Sequence, residues 1–351
     1  MLLSKNIRKP LTLFSLLVLC LAGSAMAPNA IKASFDERVD LMAMIARLSG
    51  NREYNVCVDS AYAAQADQYF SKYADHEAVR LYRQIRQSDN VVYDAVVAYA
   101  VHLKFTGSRK HPLDFDESIR DGSDSSFERW PRSGKKTFLK SLNDFYTETG
   151  FHEWYKSTEP VRRKYLEKEQ KSYDMVDLSW YENFFYRKPK LQTGIFVCLL
   201  TGLQNYGLSW ELTDGTTVIN PVYGVWKWTD LIIVIHEFCH PYCNPLVNKY
   251  WDRLSDIAGK VYEENREALS RTAYTSPQIM MYETLVRAST IVYIKEKLPE
   301  FYSSKLIEKE KMQGFPLVEP VFNSLLKYCG NRSEYPTLGD YFPVLIEDLQ
   351  Q

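Results

Sequence analysis

The spacing of apolar residues changes once along the chain, near Gln192, and this change constrains the fold more than any other feature. Before it, apolar residues recur at the three- and four-residue intervals of buried helix faces, beginning after a capping box formed by Ser34 and Glu37. The segment 107–133 is rich in Asp, Ser, Gly and Pro, so we expect a loop there. Further helices are predicted over 59–73, 76–87, 91–103, 135–147 and 160–186.

After this change the pattern becomes that of strands. Residues 195–200 form an apolar run of strand length. Two alternating segments, 208–212 and 216–219, flank the pair Asp214-Gly215. An Asp-Gly pair favours a tight hairpin because both turn positions need positive φ. The sequence therefore predicts a small antiparallel sheet in this part of the chain.

The N-terminus has the pattern of a secretory signal. A basic start that includes Lys5 and Arg8 precedes an apolar run at 11–21, which is too short to span a bilayer. Small residues at Ala25 and Ala27 fit a signal peptidase site, so cleavage is expected after Ala27. We therefore expect an exported protein, periplasmic or extracellular, without stable membrane insertion.

Charge and cysteine content exclude two other classes of protein. The formal net charge of the 351-residue chain is −1, so no basic excess points to a nucleic-acid partner. An odd and low number of cysteines after the predicted cleavage argues against a disulfide-stapled scaffold. Their pairing stays open, as does the oligomeric state. The five cysteines are Cys57, Cys198, Cys239, Cys243 and Cys329.

Helix returns after the strands, and it carries the residues with the clearest chemistry. Thr229 or Asp230 can cap this helix, an apolar run follows, and Asn244-Pro245 is expected to end it. Within it, residues 231–240 read Leu-Ile-Ile-Val-Ile-His-Glu-Phe-Cys-His.

Two histidines of this helix have the spacing of metal ligands. His236 and His240 are four residues apart, so their side chains lie on one face about a turn apart and can chelate one Zn²⁺. Glu237 follows the first histidine and can take a proton from a water that zinc activates. We predict His236 and His240 as zinc ligands and Glu237 as the catalytic base.

The alternative is that these histidines serve only a helix surface or a core. The chain provides comparisons, because His76-Glu77 and His152-Glu153 are also His-Glu pairs. Neither has a second histidine four residues after the first. The zinc-binding pattern is complete only in the third pair.

A catalytic zinc usually has three protein ligands and one open position. No histidine follows His240, so the third ligand is expected to be a downstream carboxylate. Glu283 is the best candidate, because it lies among apolar neighbours in a helix predicted from Ser276-Pro277 to about residue 298. A buried carboxylate needs a partner, and zinc would be one.

Two alternatives to this ligand stay open. Arg287 lies four residues after Glu283 and can form an ordinary ion pair within the helix. Three other glutamates are weaker candidates, because their strongly charged segment is typical of a solvated face; they are Glu263, Glu264 and Glu267.

The motif His236-Glu237-x-x-His240, followed by a helical Glu283, resembles the gluzincin branch of zinc metallopeptidases. Most of the mature chain resembles a family of exported bacterial proteins defined only as a domain of unknown function. The shared features are the segment 236–240 with Asn244-Pro245, the stretch Asn205-Tyr206-Gly207 and the Glu283…Arg287 helix. The resemblance implies zinc bound by His236, His240 and Glu283, with Glu237 as base. It also implies that the strand around 202–208 lines a cleft for an extended substrate.

Two residues depart from the gluzincin pattern. Pro241 directly follows the second histidine, so the helix should kink or end early. Arg287 stands where many gluzincins have an Asp that orients a histidine, so the groups around the ligands must differ. A tyrosine is expected as transition-state donor, and the sequence leaves Tyr206, Tyr282, Tyr335 and Tyr341 as candidates.

Together these patterns predict a mostly helical α+β protein. Its expected parts are a signal peptide at 1–27, a helical region at 28–190 and a zincin-like catalytic region at 191–351, with the last two forming one unit. The expected function is zinc-dependent hydrolysis of a peptide or protein substrate. The alternatives are a zinc hydrolase acting on another amide or a cell-wall peptide, and a non-catalytic exported protein with a vestigial zinc site.

Overall fold

The computed structural model describes residues 31–57, 59–185, 190–202, 204–224, 231–270, 274, 276–298 and 303–350. The predicted signal peptide lies outside these residues, as does the predicted helix cap at Thr229 or Asp230. Helices hold most of the described chain and short strands form the rest of the regular structure. The prediction of a mostly helical α+β fold is therefore confirmed.

The helices before residue 190 largely follow the apolar pattern, but α7 at Phe151–Ser157 was not predicted and other details differ. Asp36, not Ser34, caps the first helix, because its carboxylate accepts hydrogen bonds from the Arg38 and Val39 N–H groups. The helix predicted over 160–186 is broken, and the loop predicted over 107–133 contains a strand and a short helix. The helices are α1 Glu37–Leu48, α2 Ser60–Phe70, α3 Glu77–Asp89, α4 Asp94–Val101, α5 Ser125–Glu128, α6 Arg132–Glu148, α7 Phe151–Ser157, α8 Glu159–Tyr173 and α9 Leu178–Phe185.

The described strands form one hairpin and two small sheets. The hairpin pairs β2 with β3, one sheet has the order β1-β5-β9-β6, and the other has the order β4-β8-β7. The strands are β1 Ala33–Ser34, β2 Leu103–Phe105, β3 Leu113–Phe115, β4 Leu191–Thr193, β5 Ile195–Cys198, β6 Asn205–Tyr206, β7 Ser209–Glu211, β8 Thr217–Ile219 and β9 Val222–Gly224.

The predicted hairpin around Asp214-Gly215 is present as β7 and β8, and Gly215 has a φ of +83°. The expectation of a purely antiparallel sheet is wrong. Two continuous segments, 191–198 and 217–224, run side by side in the same direction, so β4 pairs in parallel with β8 and β5 with β9. Strand β6 is antiparallel to β9 and forms an edge of its sheet.

The C-terminal half is a helical layer built around two long helices. As predicted, the Ser276 hydroxyl caps the second of them, Pro277 is its first residue, and the helix ends before Leu298. The helices are α10 Leu231–Lys249, α11 Trp251–Glu264, α12 Arg266–Leu269, α13 Pro277–Lys297, α14 Ser303–Met312, α15 Val318–Gly330 and α16 Leu338–Gln350.

Helix α10 continues through both of its prolines, so the predicted end at Asn244-Pro245 is wrong. A proline inside a helix removes one hydrogen bond and costs about 3 kcal/mol or more. Side chains beyond Pro241 offset this cost by burial, since Cys243 and Val247 are both fully buried. Tertiary packing therefore overrides the local preference of proline here.

The N-terminal helical region contacts the C-terminal layer directly. Strand β1 pairs with β5, so residues from both predicted regions share one sheet. The Tyr181 hydroxyl donates to the Ile235 carbonyl of α10 at 3.0 Å, and the Tyr293 hydroxyl of α13 accepts from the Asp177 N–H at 2.7 Å. These bonds tie α9 to α10 and α13, while the boundary near residue 190 stays a prediction.

Two further findings concern the described residues only. None of their helices has both the length and the apolar character that crossing a membrane requires. All five described cysteines are free thiols.

Candidate metal centre

The two histidines of α10 and the glutamate between them form a compact group. One ligand atom from each of His236, Glu237 and His240 lies within 4.8 Å of the others. The two imidazole rings are 5.0 Å apart between centroids, as expected for residues one helical turn apart. All three residues are partly buried.

Glu283 reaches this group from the neighbouring helix α13. Its Oε2 atom is 3.4 Å from the Nε2 atom of His236, and its Oε1 atom is 3.6 Å from the Nε2 atom of His240. Only 8% of the residue is exposed. The sequence-predicted ligand is therefore brought to both histidines, across an interface between two helices.

Both separations from Glu283 to a histidine lie in the range of neighbouring ligand atoms around one tetrahedral ion. Zinc bonds to nitrogen and oxygen of about 2.0–2.2 Å place neighbouring ligand atoms about 3.3–3.6 Å apart. Glu283 Oε2 is buried, and its described neighbours are His236 Nε2 at 3.4 Å and an Arg287 Nη atom at 3.3 Å, neither of them in good hydrogen-bond geometry. A buried carboxylate oxygen without a well-formed hydrogen bond is costly, and a metal ion between Glu283 and the histidines would stabilise it further. The residues present therefore fit a divalent metal ion.

The pKa values of the two carboxylates of this site are shifted in opposite directions. Burial alone would raise the pKa of Glu283, but His236, His240 and Arg287 together hold that pKa well below its usual value. Burial raises the pKa of Glu237, and the neighbouring Glu283 charge adds to this effect. Glu283 is thus kept as an anion, whereas Glu237 has a higher affinity for a proton.

The side chain of Glu237 lies against the end of edge strand β6. A Cβ atom added to Gly207 would be 2.3 Å from the Glu237 Oε2 atom and 2.7 Å from its Cδ atom. Only a glycine at this position leaves the carboxylate where it is. The predicted base is therefore held between α10 and the strand predicted to line the cleft.

Arg287 connects Glu283 to groups outside the histidine cluster. One of its Nη atoms is 3.3 Å from Glu283 Oε2, and the guanidinium also pairs with Glu310 of α14. Its ring-stacking partner is Phe315, with 4.2 Å from the guanidinium carbon to the ring centroid. The ion pair that was the alternative to metal binding is present, but it coexists with the approach of both histidines.

Tyr274 is linked to Glu283 through Arg287, and the sequence did not point to it. Its hydroxyl accepts a hydrogen bond of 2.8 Å from Arg287. Burial raises its pKa to about 12, with further contributions from the Glu283 and Glu237 charges. Tyr274 lies outside both α10 and α13, and no local sequence pattern distinguishes it from the other tyrosines.

The four tyrosines considered from the sequence have other partners. Tyr206 stacks on Tyr54 at 6.1 Å between ring centroids, and Tyr282 bonds to Asn248. Tyr335 and Tyr341 pack on each other at 5.2 Å.

The remaining candidates have structural surroundings. Glu263, Glu264 and Glu267 are exposed on α11 and α12. Cys239 and Cys243 lie against α13, where burial raises their thiol pKa values. In the incomplete His-Glu pairs, His76 caps α3 and His152 lies 3.0 Å from Glu37.

Comparison with known proteins identifies a family without a known activity. No curated protein and no solved structure matches the chain significantly. The family model described as Domain of unknown function (DUF4932) matches residues 31–348, which is nearly all of the described chain. The chain therefore belongs to the DUF4932 family.

Proposed function

We propose that this protein is a zinc-dependent hydrolase that cleaves peptide bonds, with His236, His240 and Glu283 as ligands and Glu237 as base. One observation carries the proposal. The Nε2 atoms of both histidines face the two oxygens of the same carboxylate, at 3.4 and 3.6 Å. These are the separations expected around a single zinc ion.

The charges of the buried cluster support a divalent cation. Glu237, Glu283 and Glu310 are three carboxylates, and Arg287 is the only lysine or arginine paired with them among the described residues. With neutral imidazoles and all carboxylates ionised, two negative charges are left over. One Zn²⁺ would neutralise them, which offsets the cost of placing these groups together.

Each residue then has a chemical role. When bound, zinc supplies Lewis-acid activation of water and of the substrate carbonyl. Glu237 takes a proton from the attacking water and delivers it to the leaving amine. Since the Tyr274 hydroxyl accepts from Arg287, its own O–H is free to donate to the developing oxyanion.

The edge strand supports a peptide as substrate. Strand β6 pairs with β9 and has no second partner among the described strands, and Gly207, which follows it, lies beside Glu237. An extended peptide could add to this edge by main-chain hydrogen bonds and present its carbonyl to the site. A motif helix, a glutamate helix and an antiparallel edge strand together support a zincin-like arrangement of this region.

The proposal includes export, which rests on the N-terminal sequence alone. Expression with the native leader, followed by N-terminal sequencing of the protein outside the cytoplasm, should give Pro28 as the first residue. An uncleaved chain retained in the cytoplasm would contradict this part of the proposal.

Cleavage of a peptide library, followed by mass spectrometry, tests the activity. Wild type should cleave, a chelator should stop cleavage, and zinc should restore it. Glu237→Gln should keep the metal and lose turnover. Glu153→Gln is the matched control, because Glu153 belongs to an incomplete His-Glu pair and is exposed. Zinc binding without cleavage of any peptide or other amide would instead favour the non-catalytic alternative.

A further inference from the structure

We propose that Asn244 is a positioning residue that fixes the tautomer and orientation of His240; this inference rests on the proposed zinc site. The Oδ1 atom of Asn244 lies 3.2 Å from the Nδ1 atom of His240. The other ring nitrogen of His240, Nε2, is the one that faces Glu283. Asn244 thus holds the ring by the nitrogen on its far side from the proposed metal.

The chemistry of the two groups fixes the proton. An amide oxygen only accepts, so this hydrogen bond requires a proton on Nδ1. A neutral imidazole with Nδ1–H has its lone pair on Nε2, which is the form that binds a metal. With the amide turned over, its NH₂ group would donate to Nδ1 and leave the proton on Nε2, where it would block a ligand bond. Metal binding and the Oδ1 contact therefore require the same proton arrangement.

The contact depends on α10 continuing past Pro241. Residues 240 and 244 share one helix face because the chain keeps its helical turn through Pro241, and the helix continues to Lys249. If the helix ended at Asn244-Pro245, as local preference predicts, Asn244 would be a flexible end residue. Because α10 continues past Pro245, Asn244 lies inside a helix and its side chain is held next to His240.

A neutral acceptor suits the charge of the surroundings. The cluster already has two more carboxylates than guanidinium groups, so an additional charge is not needed for neutrality with one Zn²⁺. An Asp at position 244 would keep the acceptor and add one negative charge, which favours a cation. Asn244→Asp should therefore preserve zinc binding, whereas variants without an acceptor should not.

The chain offers a matched control one turn further on. Asn248 lies on the same helix face, but its Oδ1 atom accepts from Gln278 at 3.0 Å and from Tyr282. It has the same side chain and the same helix, without the histidine. An effect of Asn244 that came only from helix stability would be shared by Asn248.

The experiment measures zinc affinity by chelator competition in the full chain, together with the absorption spectrum of the Co²⁺ form. Asn244→Ala and the near-isosteric Asn244→Leu should weaken zinc binding by about 10- to 100-fold and alter the Co²⁺ spectrum. Asn244→Asp should bind within a few fold of wild type, and Asn248→Ala should match wild type in both measurements.

Two results would overturn the inference while leaving the zinc site intact. One is equal zinc affinity in wild type, Asn244→Ala and Asn244→Leu. The other is an Asn244→Asp variant as weak as Asn244→Leu, because the acceptor would then be irrelevant. Failure of the wild type itself to bind zinc would overturn the proposed function, and this inference with it.

Discussion

Two buried carboxylates in this protein, Glu283 and Asp40, have pKa values that are shifted in opposite directions. Glu283 in α13 has two histidines and an arginine around it, and its pKa is held well below its usual value despite burial. Asp40 in α1 is fully buried, accepts no hydrogen bond from a described N–H or O–H group, and has its pKa raised to about 7 by burial. Burial of a carboxylate alone therefore does not indicate a metal site. The convergence of several histidine or arginine side chains on the carboxylate does.

The largest expected effect is a loss of zinc affinity when Glu283 is replaced. Glu283→Gln removes the proposed third ligand, so zinc affinity should fall by more than the about 10- to 100-fold that loss of an outer hydrogen-bond partner causes. Peptide cleavage should be lost with the metal. Glu263→Gln should change neither, since this glutamate is exposed. Equal zinc binding in both variants would remove Glu283 from the site.

The raised pKa of Asp40 predicts that the stability of the metal-free protein depends on pH. Because the folded pKa of about 7 exceeds the unfolded value, the folded state binds the extra proton between about pH 4 and 7. The free energy of unfolding should therefore fall as pH rises through this window, by up to about 4 kcal/mol. Denaturant unfolding at pH 5 and 8 measures it. Asp40→Asn should weaken the pH dependence of the free energy of unfolding. An unchanged pH dependence would contradict the raised pKa of Asp40.

The sequence predicts the environment of Glu283 better than that of Asp40. His236, His240 and Glu283 could be predicted, because helical spacing and a well-marked helix cap are local properties. The environment of Asp40 could not, because it depends on Arg162 and on β5, far along the chain. The same holds for Tyr274 and for Gly207, which meets Glu237 only after the sheet and α10 are packed. The helix end predicted at Asn244-Pro245 is wrong because burial of later side chains offsets the hydrogen bonds lost at proline.

Tyr274→Phe separates the loss of a hydrogen-bond donor from the loss of the metal, because it removes the proposed donor and leaves the three proposed ligands in place. We expect kcat to fall by about 100- to 1,000-fold, the usual cost of losing one oxyanion donor, with zinc content unchanged. Tyr282→Phe is the control, since its hydroxyl bonds to Asn248. If both variants lose the same activity, or neither loses any, Tyr274 is not the donor.

The smallest expected effect comes from Gly207→Ala. The added methyl group would displace the end of the flexible Glu237 side chain, so the fold and the zinc should be retained. Moving the base should reduce kcat by about 10- to 100-fold. Gly259→Ala, in α11 with nothing within 4 Å of its added Cβ, should behave as wild type. Full activity in Gly207→Ala would mean that the base works from a different position.

The most direct test of the zinc site is anomalous X-ray scattering at the zinc edge from crystals of the purified wild-type protein. We expect one strong peak between α10 and α13, about 2.0–2.2 Å from His236 Nε2, His240 Nε2 and a Glu283 oxygen. A zinc-supplemented crystal with no peak there, or with its zinc held by other residues, would contradict it.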